Sequence, residues 1–165
     1  LMSGRLRVGD WIECDGVRGR VTAISYQSTQ IETTGGALMS FLNSSLFAKN
    51  FTNLTHNNSD EFVKITVGVA YGTDIDKARE VRSEATKQLL TKDSYGRDVV
   101  DPKKGINIVF NEFGDSAVEI ALKQFVLVPE RYGYVDRAKE VIYKALQDNG
   151  IEIPFPQRDV HVIND

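Results

Sequence analysis

A chain of 165 residues, 41% hydrophobic and 26% charged, has the composition of one ordinary globular domain or two small ones and lies outside the disordered class. Its net charge is only −3, and residues 1–60 balance Arg5, Arg7, Arg18, Arg20 and Lys49 against Asp10, Glu13, Asp15, Glu32 and Asp60. Neither half can neutralise a row of phosphates, which argues against a dedicated nucleic-acid surface.

Cys14 is the sole cysteine, so neither an internal disulfide nor a Cys-based metal cluster can form, which fits a reducing compartment such as the cytoplasm. Asn-x-Ser/Thr triplets at Asn43, Asn50, Asn53 and Asn57 crowd into one stretch and read as a turn region rather than as glycosylation sites. No apolar run approaches the roughly 20 residues that span a bilayer; the longest is Phe125-Val126-Leu127-Val128. There is no signal-peptide pattern. Taken alone the chain reads as soluble, and its opening at Leu1 rather than Met points to a natural start further upstream.

Residues 9–55 read as short strands broken by turn residues. Trp11-Ile12-Glu13-Cys14 precedes the turn Asp15-Gly16, and Val17 to Ser25 follows, with Val17, Val21 and Ala23 on one alternation and Gly19 where the strand can bend. Gln30-Ile31-Glu32-Thr33 passes through Gly35-Gly36 to the strand Ala37 to Leu42, the glycines supplying the positive φ of a tight hairpin. Strands this short predict a small barrel. No helical period appears here.

Thr55 to Ser59 is the expected linker. Beyond it Phe62 to Tyr71, rich in β-branched and aromatic residues, reads as a strand. Thr73-Asp74-Ile75-Asp76 reads as a capping box with Thr73 as N-cap, and Ile75, Ala78, Val81, Ala85 and Leu89 step along one helix face. Ile106, Ile108 and Phe110 alternate in a second strand, and a third runs from about Ala117 to Val128. A second helix covers roughly Val135 to Asp148, with Val135, Ala138, Ile142 and Ala145 inward and Asn149-Gly150 as its stop. Ile151 and Ile153 begin a fourth strand, broken at Pro154-Phe155-Pro156, a corner with Phe155 packed inward. The fold class is therefore α+β: a small Sm-like all-β barrel (residues 1–58) followed by a ferredoxin-like βαββαβ domain (residues 59–165).

Catalytic chemistry finds no footing. His56 and His161 lack a second His or Cys at ligand spacing and read as surface histidines. Asp74 and Asp76 fit a helix N-terminus better than a carboxylate pair. Cys14 sits in a strand with no nearby His and reads as a small core or edge residue rather than a nucleophile. No P-loop, nucleophile elbow or dinucleotide fingerprint occurs, and Gly133-Tyr134 reads as a loop before a helix rather than as an anion site. The chain reads as no enzyme, with no cofactor and no metal. An RNA-recognition motif would need stacking aromatics on its third strand, which here is Ala117-Val118-Glu119-Ile120-Ala121-Leu122.

Several segments resemble one family. Arg7-Val8-Gly9-Asp10-Trp11-Ile12-Glu13 followed by Gly16-Val17-Arg18-Gly19-Arg20-Val21 resembles the start of the β domain of the small-conductance mechanosensitive channels (MscS). Phe41-Leu42-Asn43-Ser44 resembles that family's Pro-Asn turn, with Leu42 where Pro is usual. Val67-Gly68-Val69-Ala70-Tyr71-Gly72-Thr73-Asp74-Ile75-Asp76 is similar to the opening of its α/β domain, and Gly150 to Gln157 to its closing signature. The resemblance covers about Arg5 to Ile163.

That resemblance implies the cytoplasmic vestibule domain of a tension-gated channel that releases ions and small osmolytes on hypo-osmotic shock. It implies a homo-heptamer in the cell (inner) membrane, held in the bilayer by helices outside this chain, with this region on the cytoplasmic side. Asn43 and Ser44 would occupy a membrane-facing turn coupled to the pore helix, and Asp60, Glu61 and Lys64 the rim of a side portal. The ending at Asp165 implies that most of a closing C-terminal barrel strand is missing. The rival reading is a soluble oligomeric Sm-like module that binds RNA or a small ligand.

Overall fold

A computed structural model describes residues 5–56 and 59–163. Asn57 and Asn58, within the expected linker, lie outside the described residues. The chain divides into two compact units, residues 1–61 and 62–165.

The first unit is one antiparallel sheet. Its strands are β1 (Trp11–Cys14), β2 (Val17–Ile24), β3 (Ser28–Thr33), β4 (Leu38–Leu42) and β5 (Phe51–Asn53), ordered β4-β3-β2-β1-β5. Asp15 (φ 52°) and Gly16 (φ 75°) both adopt left-handed backbone, as a two-residue hairpin turn closing Cys14 onto Val17 requires. Leu6, Ile12, Cys14, Val21, Ile31 and Leu46 form the core. The expected alternation of Val17, Val21 and Ala23 fails after Val21, because the register against β3 shifts between Val21 and Ala23 and turns Ala23 outward. A short helix unforeseen in the sequence, α1 (Asn43–Ala48), follows β4, anchored by the buried Leu46. At six residues it is too short for a hydrophobic period to stand out.

The second unit carries β6 (Asp60–Val69), α2 (Ile75–Thr86), β7 (Asn107–Phe113), β8 (Val118–Leu127) and α3 (Arg131–Asp148), with the sheet ordered β6-β8-β7. The first residues of β6, Asp60 and Glu61, fall with the first unit. Asp74 is the N-cap of α2, not Thr73; its carboxylate accepts from the backbone N–H of Asp76 at 3.0 Å and of Lys77 at 3.2 Å. Helix α3 starts a turn earlier than its pattern suggests, directly from the 3-10 turn Val128–Glu130, so Tyr134 belongs to the helix and not to a loop. It buries Tyr134, Ala138, Ile142 and Leu146, while Val135 and Ala145 are half-buried. It ends in a Schellman turn: Gly150 (φ 67°) donates to Gln147 and Ile151 donates to Leu146.

The expected fourth strand does not form a ladder. Glu152 accepts one hydrogen bond from Ala70 N–H at 2.9 Å, beside the end of β6 where the last strand of a ferredoxin-like sheet belongs. Pro154 and Pro156 then supply no backbone donors, so pairing cannot propagate. Phe155, expected inward, is 82% exposed, because no paired strand turns its ring toward the core.

Tyr134 gives a testable consequence of this packing. Its ring is buried in the core of the second unit, and its hydroxyl has no hydrogen-bond partner among the described residues. Burial pushes the hydroxyl up to about 12. A folded-state value raised above the usual phenol value of about 10 contributes stability that is fully present below about pH 10. That contribution, up to about 3 kcal/mol, is lost as the pH rises from about 10 through 12. Tyr134→Phe should therefore keep or raise the melting temperature at pH 7 and shrink the fall in stability between about pH 10 and 12. Urea titrations across that range would show the difference.

Candidate functional site

The most tightly organised polar group in the first unit surrounds Asn43, where β4 passes into α1. Its backbone N–H donates to Gln27 O at 2.8 Å, and its side-chain Nδ2 donates to Ser25 O at 2.9 Å and Tyr26 O at 3.1 Å. Its Oδ1 accepts from Thr29 Oγ1 at 2.8 Å. One residue thus satisfies three successive carbonyls of the β2–β3 turn, and both amide hydrogens are spent on that turn. The Ser25 and Tyr26 carbonyls can only accept, so they fix which way the amide faces and leave Oδ1 for the hydroxyl of the fully buried Thr29.

The turn so fastened presents Tyr26, 91% exposed, beside Leu42, 61% exposed. Together with Ile24, Gln27, Ser44 and Phe47 they line an open, largely apolar groove. The groove holds neither a carboxylate nor an imidazole, so it offers surface and not acid–base chemistry.

The second expected group is separated by the division of the chain. Glu61 falls with the first unit, where its carboxylate is gripped by both terminal nitrogens of Arg18, Nη1 donating to Oε1 at 3.1 Å and Nη2 to Oε2. Both side chains are about nine-tenths buried. Lys64 is exposed on β6 in the second unit, and Asp60 is half-buried at the start of that strand. His56 and His161 are both exposed. Among the described residues no group of three or more His, Cys, Asp or Glu is placed to hold a metal ion. No helix among them is long and apolar enough to cross a membrane.

Sequence reasoning singled out Asn43 and Ser44 but missed Thr29 and the Ser25-Tyr26-Gln27 turn. Thr29 was legible in part: it shares the alternation of Ile31, and a hydroxyl on a buried face needs a partner. It also missed Arg18, whose charge on a strand reads as a solvated face.

The described residues thus form a five-stranded sheet with a fastened turn, followed by a unit with split βαβ order. The comparisons with known proteins name its family. The family model described as "Mechanosensitive ion channel, beta-domain" matches residues 1–56, and that described as "Mechanosensitive ion channel MscS, C-terminal" matches residues 63–153. The chain belongs to the MscS family of mechanosensitive ion channels, a family of channels and not of enzymes. An uncharacterised MscS family protein of Archaeoglobus fulgidus is 31% identical over 97% of this chain and 53% of its own length. The small-conductance mechanosensitive channel of Edwardsiella ictaluri is 28% identical over 94% of this chain and 51% of its own length. The crystal structure of Helicobacter pylori MscS in the closed state shares the fold, with a TM-score of 0.80 at 24% identity, covering 98% of this chain and 60% of that one. The chain spans about half the length of these curated relatives.

Proposed function

We propose that this chain is the cytoplasmic vestibule portion of a tension-gated channel subunit that works as a homo-heptamer in the cell membrane and lets ions and small osmolytes out on hypo-osmotic shock. The observation that carries the reading is the match of the chain, in order, to the β-domain model and the C-terminal model of one channel family. The composition accords with it, since a net charge of −3 offers no polyanion-binding face that would favour the RNA-binding alternative.

Within that reading the end of the first unit that carries Asn43 and Ser44 faces the membrane helices. The bonding of Asn43 supports an indirect role: its amide holds the Ser25–Gln27 turn, and the turn makes the contact through Tyr26 and Leu42. Asp60, Glu61 and Lys64 form part of a portal rim, where Glu61 carries its charge compensated by Arg18.

The full-length protein expressed in a bacterial host stripped of its own mechanosensitive channels tests the proposal. Survival after abrupt dilution from high to low osmolarity should rise well above that of the empty host. Survival no better than the empty host's, with the protein in the membrane, would contradict the reading. Asn43→Ala should reduce the rescue while the protein still reaches the membrane. An undiminished rescue would remove Asn43 from the coupling.

A further inference from the structure

Asn149-Gly150 is the only Asn-Gly step in the 165 residues, and it stands where α3 ends. Both residues are exposed. Glycine has no Cβ to shield its backbone nitrogen, so after an asparagine it leaves that nitrogen open to the side-chain carboxamide. Their reaction closes a five-membered succinimide ring. Gly150 N gives its proton to a solvent base and bonds to Asn149 Cγ, and the side-chain nitrogen leaves as ammonia. Water then opens the ring. Cleavage at Cγ gives aspartate, and cleavage at the backbone carbonyl carbon gives isoaspartate, with the chain running on through Cγ.

The folded helix end opposes each part of that step. The Gly150 N–H is spent on Gln147 O at 3.0 Å, and Asn149 Nδ2 holds its amide against Ala145 O at 2.8 Å. With ψ of Asn149 at 9°, the Gly150 nitrogen is turned away from the side chain and cannot reach Cγ. The next link, Ile151 N–H to Leu146 O at 2.9 Å, is pinned by the buried Ile151 side chain. Ring closure therefore waits for this cap to open. Helix ends open locally far more often than a whole unit unfolds.

We propose that Asn149 is a self-modifying site, deamidated without an enzyme, and that the C-terminal cap of α3 sets its rate. Either product weakens the cap that delayed it. Aspartate adds a negative charge beside Asp148 at the negative end of the helix, and its carboxylate cannot donate to Ala145 O. Isoaspartate adds a methylene to the backbone just before Gly150, so the bonds of Gly150 and Ile151 to the last turn cannot re-form in register. The segment after α3, where Glu152 O accepts from Ala70 N–H at 2.9 Å, is loosened with it. The inference concerns the chemistry of one helix end and does not rest on the channel reading.

Peptide mapping by mass spectrometry tests it, with enzymatic methylation of isoaspartate as a second readout. Asn149 is followed in the full-length protein in mildly alkaline buffer, with and without urea, beside a peptide of residues 145–153. The peptide and the urea-unfolded protein should convert at matching rates, and the folded protein about ten- to a hundredfold more slowly. Ile151→Ala removes the buried anchor of the cap and should speed conversion in the folded protein toward the rate of the peptide. Should that variant not fold, the comparison with and without urea still measures the gate. No conversion at Asn149 in the unfolded protein, or none in the folded protein while the peptide converts completely, would overturn the site. A folded protein that keeps pace with the peptide, or a folded Ile151→Ala no faster than the unaltered protein, would overturn control by the cap.

Discussion

Replacing Gly19 by valine is expected to unfold the first unit while the second keeps its own transition. Gly19 lies on β2 opposite Thr33, and a Cβ built there would stand 2.6 Å from the carbonyl oxygen of Glu32 and 3.2 Å from Ile31 Cδ1. The first obstacle is backbone in the neighbouring strand, which cannot rotate away as a side chain can. Overpacking costs typically about 1–3 kcal/mol even where side chains can yield. A sheet of about 60 residues has little stability to spare. Trp11, the only tryptophan in the chain, sits on β1 beside β2 and reports this unit alone. Its fluorescence in Gly19→Val should resemble that of the unfolded chain at a temperature where the circular dichroism of α2 and α3 persists. A native Trp11 signal and an unshifted first transition would mean that β3 moves aside at little cost.

Arg82→Met should move stability the other way, raising that of the second unit by about 1–3 kcal/mol. Arg82 is fully buried on α2, with one hydrogen bond of 3.3 Å from Nη2 to Val67 O. Its Nε and Nη1 have no partner among the described residues. Burial alone lowers its proton affinity to about 10. A cation whose folded-state value lies below its unfolded one is penalised at every pH below the folded value, with relief only above about pH 10. The penalty therefore acts in full at neutral pH, and methionine, of similar length and without charge, removes it. A higher urea midpoint for the second unit at pH 7 is the expected result. A midpoint lowered by as much as an ordinary core truncation would show that the Val67 bond and the packing of the stem outweigh desolvation.

Arg82 also marks where reading the sequence stops. The α2 stripe Ile75, Ala78, Val81, Ala85 and Leu89 is real, and Ala78, Ala85 and Leu89 are buried. Yet the centre of the buried face is Arg82, four residues after Ala78, and a hydrophobic period cannot nominate a charged residue for that place. The hairpin from β1 to β2 was legible because Asp15-Gly16 announces its turn, whereas β5 at Phe51–Asn53 was not read, and the bulge after Val21 has no residue signature and reversed the facing of Ala23. The fourth strand read from Ile151 and Ile153 failed for a reason visible in hindsight: strand-forming side chains do not make a ladder where the next donors belong to prolines.

The site divides in the same way. Asn43 was legible through resemblance, but its orientation was not, because whether an amide points outward or into its own turn depends on Thr29 and the Ser25–Gln27 carbonyls meeting it from another strand. The pairing of Arg18 with Glu61 is likewise non-local, spanning 43 residues, and neither side chain carries a mark of burial in its own segment.

The proposed role is part of a channel opened by membrane tension. Patch recording from membranes containing the full-length protein, in a host without other mechanosensitive channels, tests it most directly. Suction on the patch should elicit currents that rise steeply with tension and are absent from the empty host, with Asn43→Ala shifting the tension of half-opening or the rate of recovery. A full-length protein present in the membrane that gives no tension-activated current at any suction the patch survives would contradict the account.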